Sequence, residues 1–181
     1  LQILDIQNGE QVLEVGFGTG QCLLKMVECA GETGGIFGVD LSPGMLEVAQ
    51  AKLHKAGIGD SVEICLGDAA ELPYADNSFD AVYSSFTLEL FDTPEIPVVL
   101  SDCQRVLKPG GRLCIVSMSK KSQSSVMVKL YEWTQKNFNK YVDCRPIYVE
   151  KSLRDNGYVI QSVTEMSMFG LPVDIVLAKN E

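Results

Sequence analysis

The chain has 181 residues, a net charge of −9, 46% hydrophobic and 22% charged residues, a balance that fits one globular domain and excludes a disordered or fibrous chain. An acidic total argues against a surface built throughout for nucleic-acid phosphates, which needs clustered Lys and Arg, so no nucleic-acid partner is expected. The longest uncharged stretch, residues 15–24, is ten residues long. About 20 apolar residues span a bilayer, so nothing reads as a transmembrane segment. No basic segment leads an apolar one, and no secretory signal is expected.

Short apolar runs alternate with helical periodicity, the pattern of βα units stacked into a mostly parallel sheet. In chain order the expected elements are strands near 11–15, 35–40, 61–66, 79–85 and 111–118, with helices near 20–30, 43–57 and 94–107. Leu41 or Ser42 caps the second helix, with Pro43 in its first turn and Gly57 at its end; Thr93 caps the third, with Pro94 at its first position. Residues 119–145 then carry no strand pattern. Met127, Leu130, Tyr131, Thr134, Phe138 and Tyr141 recur there at three- and four-residue steps, as in a helical lid. A helix near 146–156, a strand near 158–167, a turn with Gly170 and a strand near 171–179 close the chain. Two strands joined so tightly run antiparallel. The chain reads as a single domain over 1–181 with one insertion.

Six cysteines, Cys22, Cys29, Cys65, Cys103, Cys114 and Cys144, make no Cys-x-x-Cys, and His54 is the one histidine. The usual zinc spacings cannot be assembled from these, so no metal is expected. Most of the cysteines sit in apolar segments, as free thiols do in a reducing cytoplasm.

Chemistry concentrates at Gln11-Val-Leu-Glu14-Val-Gly16-Phe-Gly18-Thr19-Gly20, where an apolar strand runs straight into a glycine turn and a helix. Glycine allows positive φ and close approach of a ligand, and the helix start offers unpaired N–H groups. The spacing is G-x-G-x-G; a dinucleotide fingerprint wants a third glycine at position 21, which is Gln21. The next strand ends in Asp40, placed to accept from ribose hydroxyls as NAD enzymes also arrange. Leu66-Gly67-Asp68-Ala69 ends the third strand with another carboxylate, suited to an adenine amino group. Phe79-Asp80-Ala-Val-Tyr-Ser84-Ser85-Phe86 forms the fourth, and Leu107-Lys-Pro-Gly-Gly-Arg-Leu113 leads into the fifth.

In this order and spacing the blocks resemble the class I S-adenosylmethionine-dependent methyltransferases, in the small-molecule branch that includes the ubiquinone/menaquinone C-methyltransferases. The resemblance runs from about Gln11 to Lys179. It implies an α/β, Rossmann-like seven-stranded sheet, mostly parallel with an antiparallel last strand, helices on both faces and a small helical lid. It also implies an enzyme using S-adenosyl-L-methionine, leaving S-adenosyl-L-homocysteine, to methylate a small-molecule or lipid-like acceptor. By the same resemblance Gly16, Gly18, Thr19 and Gly20 wrap the methionine part with Glu14 beneath, Asp40 holds the ribose, Leu41 and Met45 flank the adenine, and Asp68 with Ala69 reads its edge. Ser84 and Ser85 face the amino end and the reacting methyl. A catalytically silent cofactor-binding partner of the same fold is the competing reading. Residues 86–92 read Phe-Thr-Leu-Glu-Leu-Phe-Asp where the quinone enzymes carry Gly-Leu-Arg-Asn, a departure that bears on acceptor choice.

No residue presents itself as catalytic. Methyl transfer from a sulfonium needs alignment more than acid chemistry, and the Asn/Asp-Pro-Pro-aromatic motif of nucleobase N-methylation is absent. Substrate candidates lie in and just after the lid: Tyr131, Trp133, Tyr141 and Arg145. The aromatic residues either line an acceptor pocket or pin the lid to the sheet. Residues 119–145 hold six basic residues and two acids, net +4, leaving −13 on the rest. Such a lid can draw an anionic acceptor or make a peripheral contact with an anionic membrane surface, or it is a solvated face paired with the acidic body.

Overall fold

The computed structural model describes residues 1–119, 147–168 and 171–181. Its elements are β1 (Gln11–Val15), α1 (Gln21–Ala30), β2 (Gly35–Asp40), α2 (Pro43–Lys55), β3 (Val62–Leu66), β4 (Phe79–Ser85), α3 (Ile96–Val106), β5 (Leu107–Met118), α4 (Val149–Asp155), β6 (Val159–Met168) and β7 (Leu171–Lys179), with 3-10 turns at Gly59–Ser61 and Leu88–Leu90. The expected lid, including Tyr131, Trp133, Tyr141 and Arg145, and the turn at 170 lie outside the described residues.

The strands form one seven-stranded sheet in the order β3-β2-β1-β4-β5-β7-β6. β1 pairs parallel with β2 and β4, β2 with β3, and β4 with β5. β7 runs antiparallel to both β5 and β6, so it is the one reversed strand. The sheet is therefore mostly parallel with an antiparallel last strand, as the resemblance implies. The chain steps outward from β1 to β3 and then returns to the other side of β1 for β4. The reversal leaves a crevice at the carboxyl ends of β1 and β4, where doubly wound sheets bind ligands.

Side-chain alternation divides the core between the two faces. Leu13, Val82, Leu113, Ile115 and Val176 pack under Val99, Leu100 and Cys103 of α3 and Val149 and Leu153 of α4. On the other face Val12, Ala81, Tyr83 and Cys114 lie under Leu23, Met26 and Ala30 of α1 and Ala49 and Leu53 of α2. Truncating a buried leucine of either layer to alanine costs about 2–5 kcal/mol.

Ser42 caps α2, its hydroxyl accepting from the Met45 amide at 3.4 Å, with Pro43 at the first position. α3 starts differently from the Thr93–Pro94 expectation. The Asp92 amide donates to the Glu95 carboxylate at 3.0 Å, and its carbonyl accepts from the Glu95 and Ile96 amides. The helix itself begins after this turn, with Glu95 as its N-cap, so Thr93 and Pro94 belong to the turn that precedes it. β5 begins at Leu107, ahead of the expected residue 111. Asn180 holds the early stretch extended, its side chain donating to the carbonyls of Gln104, Leu107 and Lys108 at 3.2, 3.1 and 3.4 Å.

Candidate active site

The glycine turn is folded onto the end of β2. The Gly16 amide donates to the Val39 carbonyl at 2.8 Å. The Gly18 amide donates to Asp40 Oδ2 at 2.8 Å, and the Ser42 amide to Asp40 Oδ1 at 2.9 Å. One carboxylate thereby ties together the turns after β1 and β2. Gly16 has φ +75°, and a Cβ there would lie 2.1 Å from Thr87 Oγ1. Only glycine lets Thr87, two residues past β4, cross the turn this closely. Gly18, at φ +52°, has no heavy atom of the described residues within 4 Å of where a Cβ would stand. Its Cα faces the open cavity.

That cavity, about 600 Å³, lies over the crevice. One wall is Gly16, Gly18 and Val39–Ser42 with Met45; the floor is Gly67–Ala70; the opposite wall is Ser85–Thr87, Leu90, Phe91 and Glu95. Leu41 is 72% exposed, Met45 40% and Leu90 49%, although each borders a concave site. Apolar residues grouped this way mark a surface that a ligand covers. Asp68 is held by its own turn, Oδ1 accepting from the Ala70 amide at 2.9 Å. Arg105 braces that floor from behind. Its guanidinium donates to the carbonyls of Tyr74 at 2.7 Å and Leu72 at 3.0 Å and forks onto Asp102, whose other contact is the Leu72 amide at 2.6 Å.

Phe86 bends the chain off the sheet at the end of β4 with φ +54°, while its amide still donates to the Val116 carbonyl at 2.8 Å. A bulky residue in the left-handed region is strained, and such residues gather at functional sites. Here the bend turns residues 86–91 across the mouth of the crevice.

Two buried carboxyls border the site. Glu14 is 2% exposed, and its Oε2 has no hydrogen-bond partner among the described residues. It is the register partner of Tyr83 in β4. Burial pushes its pKa up to about 8; the Cys22 thiol opposes the rise and the Asp40 charge adds to it. Burial likewise raises the Cys22 thiol and the Tyr83 phenol. Glu89 is wholly buried, with Oε1 accepting from the Met118 amide at 3.2 Å and Oε2 without a partner among the described residues. Burial raises its pKa to about 7 against that hydrogen bond. Phe86 still pairs with Val116, so Glu89 takes the place of a longer β4 at the end of β5.

Of the residues singled out in the sequence, Gly16, Gly18, Asp40, Leu41, Met45, Asp68, Ala69 and Ser85 line this one cavity. Glu14 and Ser84 are buried beneath it. Gly20 faces α2, where a Cβ would come within 3.0 Å of that of Ala49, and so serves helix packing. Thr19 is exposed outside the wall, its hydroxyl accepting from Lys52 at 3.2 Å. Sequence reasoning missed the wall from Phe86 to Phe91, together with Glu95 and Glu89. The departure at residues 86–92 was the signal available for it. Among the described residues no cluster of three His, Cys, Asp or Glu side chains could hold a metal, and no helix is long and apolar enough to cross a membrane.

A doubly wound sheet with an acid-lined cavity at its switch point defines a nucleotide-type binding domain. The family model described as a methyltransferase domain matches residues 12–111, and the chain belongs to that family. It is 36% identical over 119 residues to a demethylmenaquinone methyltransferase of Bacillus velezensis, an alignment covering 66% of this chain and 50% of that protein. The chain spans about half the length of the curated relatives it matches. Its fold is that of a SAM dependent methyltransferase from Aquifex aeolicus, with TM-score 0.77 and 24% identity over 99% of this chain and 87% of that one. The [4+2]-cyclase SpnF superimposes equally well, with TM-score 0.80 and 20% identity over 99% of this chain and 78% of that one. The same architecture thus also carries a name other than methyl transfer, and function is argued from the site.

Proposed function

We propose that the chain is the catalytic domain of an S-adenosylmethionine-dependent methyltransferase acting on a small, hydrophobic acceptor. The observation that carries this reading is Asp40, fixed by the Gly18 and Ser42 amides at the edge of the cavity. A carboxylate has about four lone-pair sites, so two remain for ribose hydroxyls. The other residues fit the same ligand. Gly18 leaves room where any side chain would intrude, Leu41 and Met45 offer apolar flanks to a flat base, and Asp68 is held ready to accept an amino group. Thr19 and Gly20 support the turn from outside the cavity.

When bound, S-adenosylmethionine supplies a methyl group already activated by its sulfonium charge. The protein's task is then to hold the acceptor in line and keep water out. Well-oriented reactants reach effective molarities of about 10⁵–10⁸ M. Ser85, Phe86, Thr87, Leu90 and Phe91 stand where that alignment is needed, across the cavity from the nucleoside wall. The apolar Phe86, Leu90 and Phe91 among them favour a hydrophobic acceptor and support dehydration of the site. The relative named for demethylmenaquinone adds support for a quinol-type acceptor, and residues 86–92 are where the acceptor preference would differ. A cytoplasmic setting belongs to this reading, supported by free Cys22, Cys29, Cys65, Cys103 and Cys114. So does a peripheral contact with an anionic surface through the basic stretch 119–145, with Tyr131, Trp133, Tyr141 and Arg145 as its acceptor-side candidates.

The test is transfer of a labelled methyl group from S-adenosylmethionine into an organic-extractable product, with reduced naphthoquinones and phenols as acceptors. Incorporation abolished by Asp40→Ala supports the proposal. Tight cofactor binding with no transfer to any acceptor would instead support a silent partner subunit.

A further inference from the structure

A second cavity, about 350 Å³, lies between α3 and α4. Its volume is within the range of roughly 300–1,000 Å³ common for small-molecule sites. Among the described residues Phe91 is the one that lines both this cavity and the main one, so it stands between them. Beyond Phe91 the near walls are apolar, with Ile96 and Pro97 from the start of α3 and Ile147 and Tyr148 leading into α4. Farther along α4 stand Lys151 and Asp155, which form an ion pair with each other and so offer no net charge to an occupant. The main cavity differs, carrying Asp40, Asp68 and Glu95 on its walls. The carboxylates of the main cavity thus stand on one side of Phe91, and on the other lies a cavity without net charge, in which the apolar wall of Ile96, Pro97, Ile147 and Tyr148 next to Phe91 faces Thr93, Ser152, Asn156 and the Lys151–Asp155 pair.

We propose that the cavity between α3 and α4 is the subsite for an apolar chain carried by the acceptor, reached from the main cavity past Phe91. This rests on the reading of the main cavity as the site of cofactor and acceptor headgroup. A headgroup held against Phe86 and Leu90 directs a substituent toward Phe91, and the length of chain that the second cavity accommodates sets which acceptors bind best. The same arrangement explains why an apolar side chain such as Leu90 stays exposed at the mouth: it borders the path between the two volumes.

The test is binding of 4-alkylphenols from methyl to octyl, measured by calorimetry on the intact chain saturated with S-adenosylhomocysteine and on the chain without it. Each methylene taken up should raise affinity about fourfold until the cavity is filled. Ser152→Trp, which fills this cavity from α4 without touching the main one, should flatten that dependence and leave S-adenosylhomocysteine affinity unchanged. Affinity indifferent to chain length, or a length dependence that survives in a folded Ser152→Trp protein, overturns the proposal. A photoreactive group at the end of the octyl chain gives an independent answer on the unsubstituted protein. Labelling within residues 91–97 or 147–156 supports the subsite, and labelling confined elsewhere overturns it. Failure of S-adenosylhomocysteine to bind, with the chain-length dependence intact, would refute the cofactor reading alone.

Discussion

Asp40 Oδ2 accepts the amide of Gly18 at 2.8 Å across 22 residues of sequence, so the carboxylate we propose for the ribose is also the clamp on the glycine turn. The two roles separate by substitution. Asp40→Asn keeps one acceptor oxygen and loses the charge, and a hydrogen bond to a charged group contributes about 1.5–3 kcal/mol. The variant should be folded, less stable than the parent by about 1–2 kcal/mol in urea, and weaker for S-adenosylhomocysteine by tenfold or more. Equal affinity in the two proteins would show that the charge has no part in binding.

The crossing of Thr87 over Gly16 makes a steric prediction. In Gly16→Ala the new methyl meets Thr87 Oγ1 at 2.1 Å and must also sit at φ +75°. Left-handed backbone costs a non-glycine residue about 1–2 kcal/mol, and the clash adds to it. Thr87→Ala removes the two nearest contacts, Oγ1 at 2.1 Å and Cγ2 at 2.5 Å, but leaves the Thr87 Cβ at 2.8 Å and the backbone cost, so the double variant should recover part of the lost stability. Chemical denaturation of all four proteins gives the coupling, and strict additivity would contradict the contact.

Glu14 and Glu89 make stability depend on pH in a stated direction. Their ordinary value is 4.5, and burial raises them to about 8 and about 7. The folded state then binds protons that the unfolded state has released. Their stabilising contribution is complete below about pH 4.5. It is lost as pH rises, through about 7 for Glu89 and about 8 for Glu14, each at up to about 1.4 kcal/mol per pH unit. Glu14→Gln and Glu89→Gln should therefore gain stability relative to the parent at pH 8 and show little difference at pH 4.5. Urea midpoints at the two pH values check this, and an unchanged difference would show that the carboxyls are ionised throughout.

Arg105 holds the floor of the cavity by a planar fork that lysine cannot copy. Arg105→Lys keeps the charge yet loses the simultaneous bonds to Asp102 and the carbonyls of Leu72 and Tyr74. It should lower stability by about 1–3 kcal/mol. Because Gly67–Ala70 lies on the same loop, S-adenosylhomocysteine affinity should fall several-fold as well. Unaltered affinity in the destabilised protein would mean that the floor is positioned without Arg105.

These relationships differ in how far the sequence reveals them. The glycine turn, Asp40 and Asp68 are legible because each is local: a strand ends, the chain turns, and the residue at the turn faces the crevice. The mostly parallel sheet with its antiparallel last strand is legible for a similar reason, since βα alternation and the tight β6–β7 connection restrict the topology, while the strand order is seen only in the structure. The wall from Phe86 to Phe91 is not legible. Its position depends on the left-handed bend of Phe86 and on how closely Thr87 approaches Gly16, 71 residues earlier in the chain. Thr19 shows the same limit from the other side. Its place inside the motif suggests a ligand contact, while the helix that follows turns it toward Lys52. Glu89 looks like a surface acid in an irregular stretch, and only the end of β5 makes it a buried partner of Met118.

The most direct test of the central claim is calorimetric titration of the chain with S-adenosylhomocysteine beside its Asp40→Ala variant. The account predicts saturable one-to-one binding to the parent and none to the variant, with both proteins giving the same folded spectrum. No heat up to high micromolar ligand with the parent, or equal binding by Asp40→Ala, would contradict it.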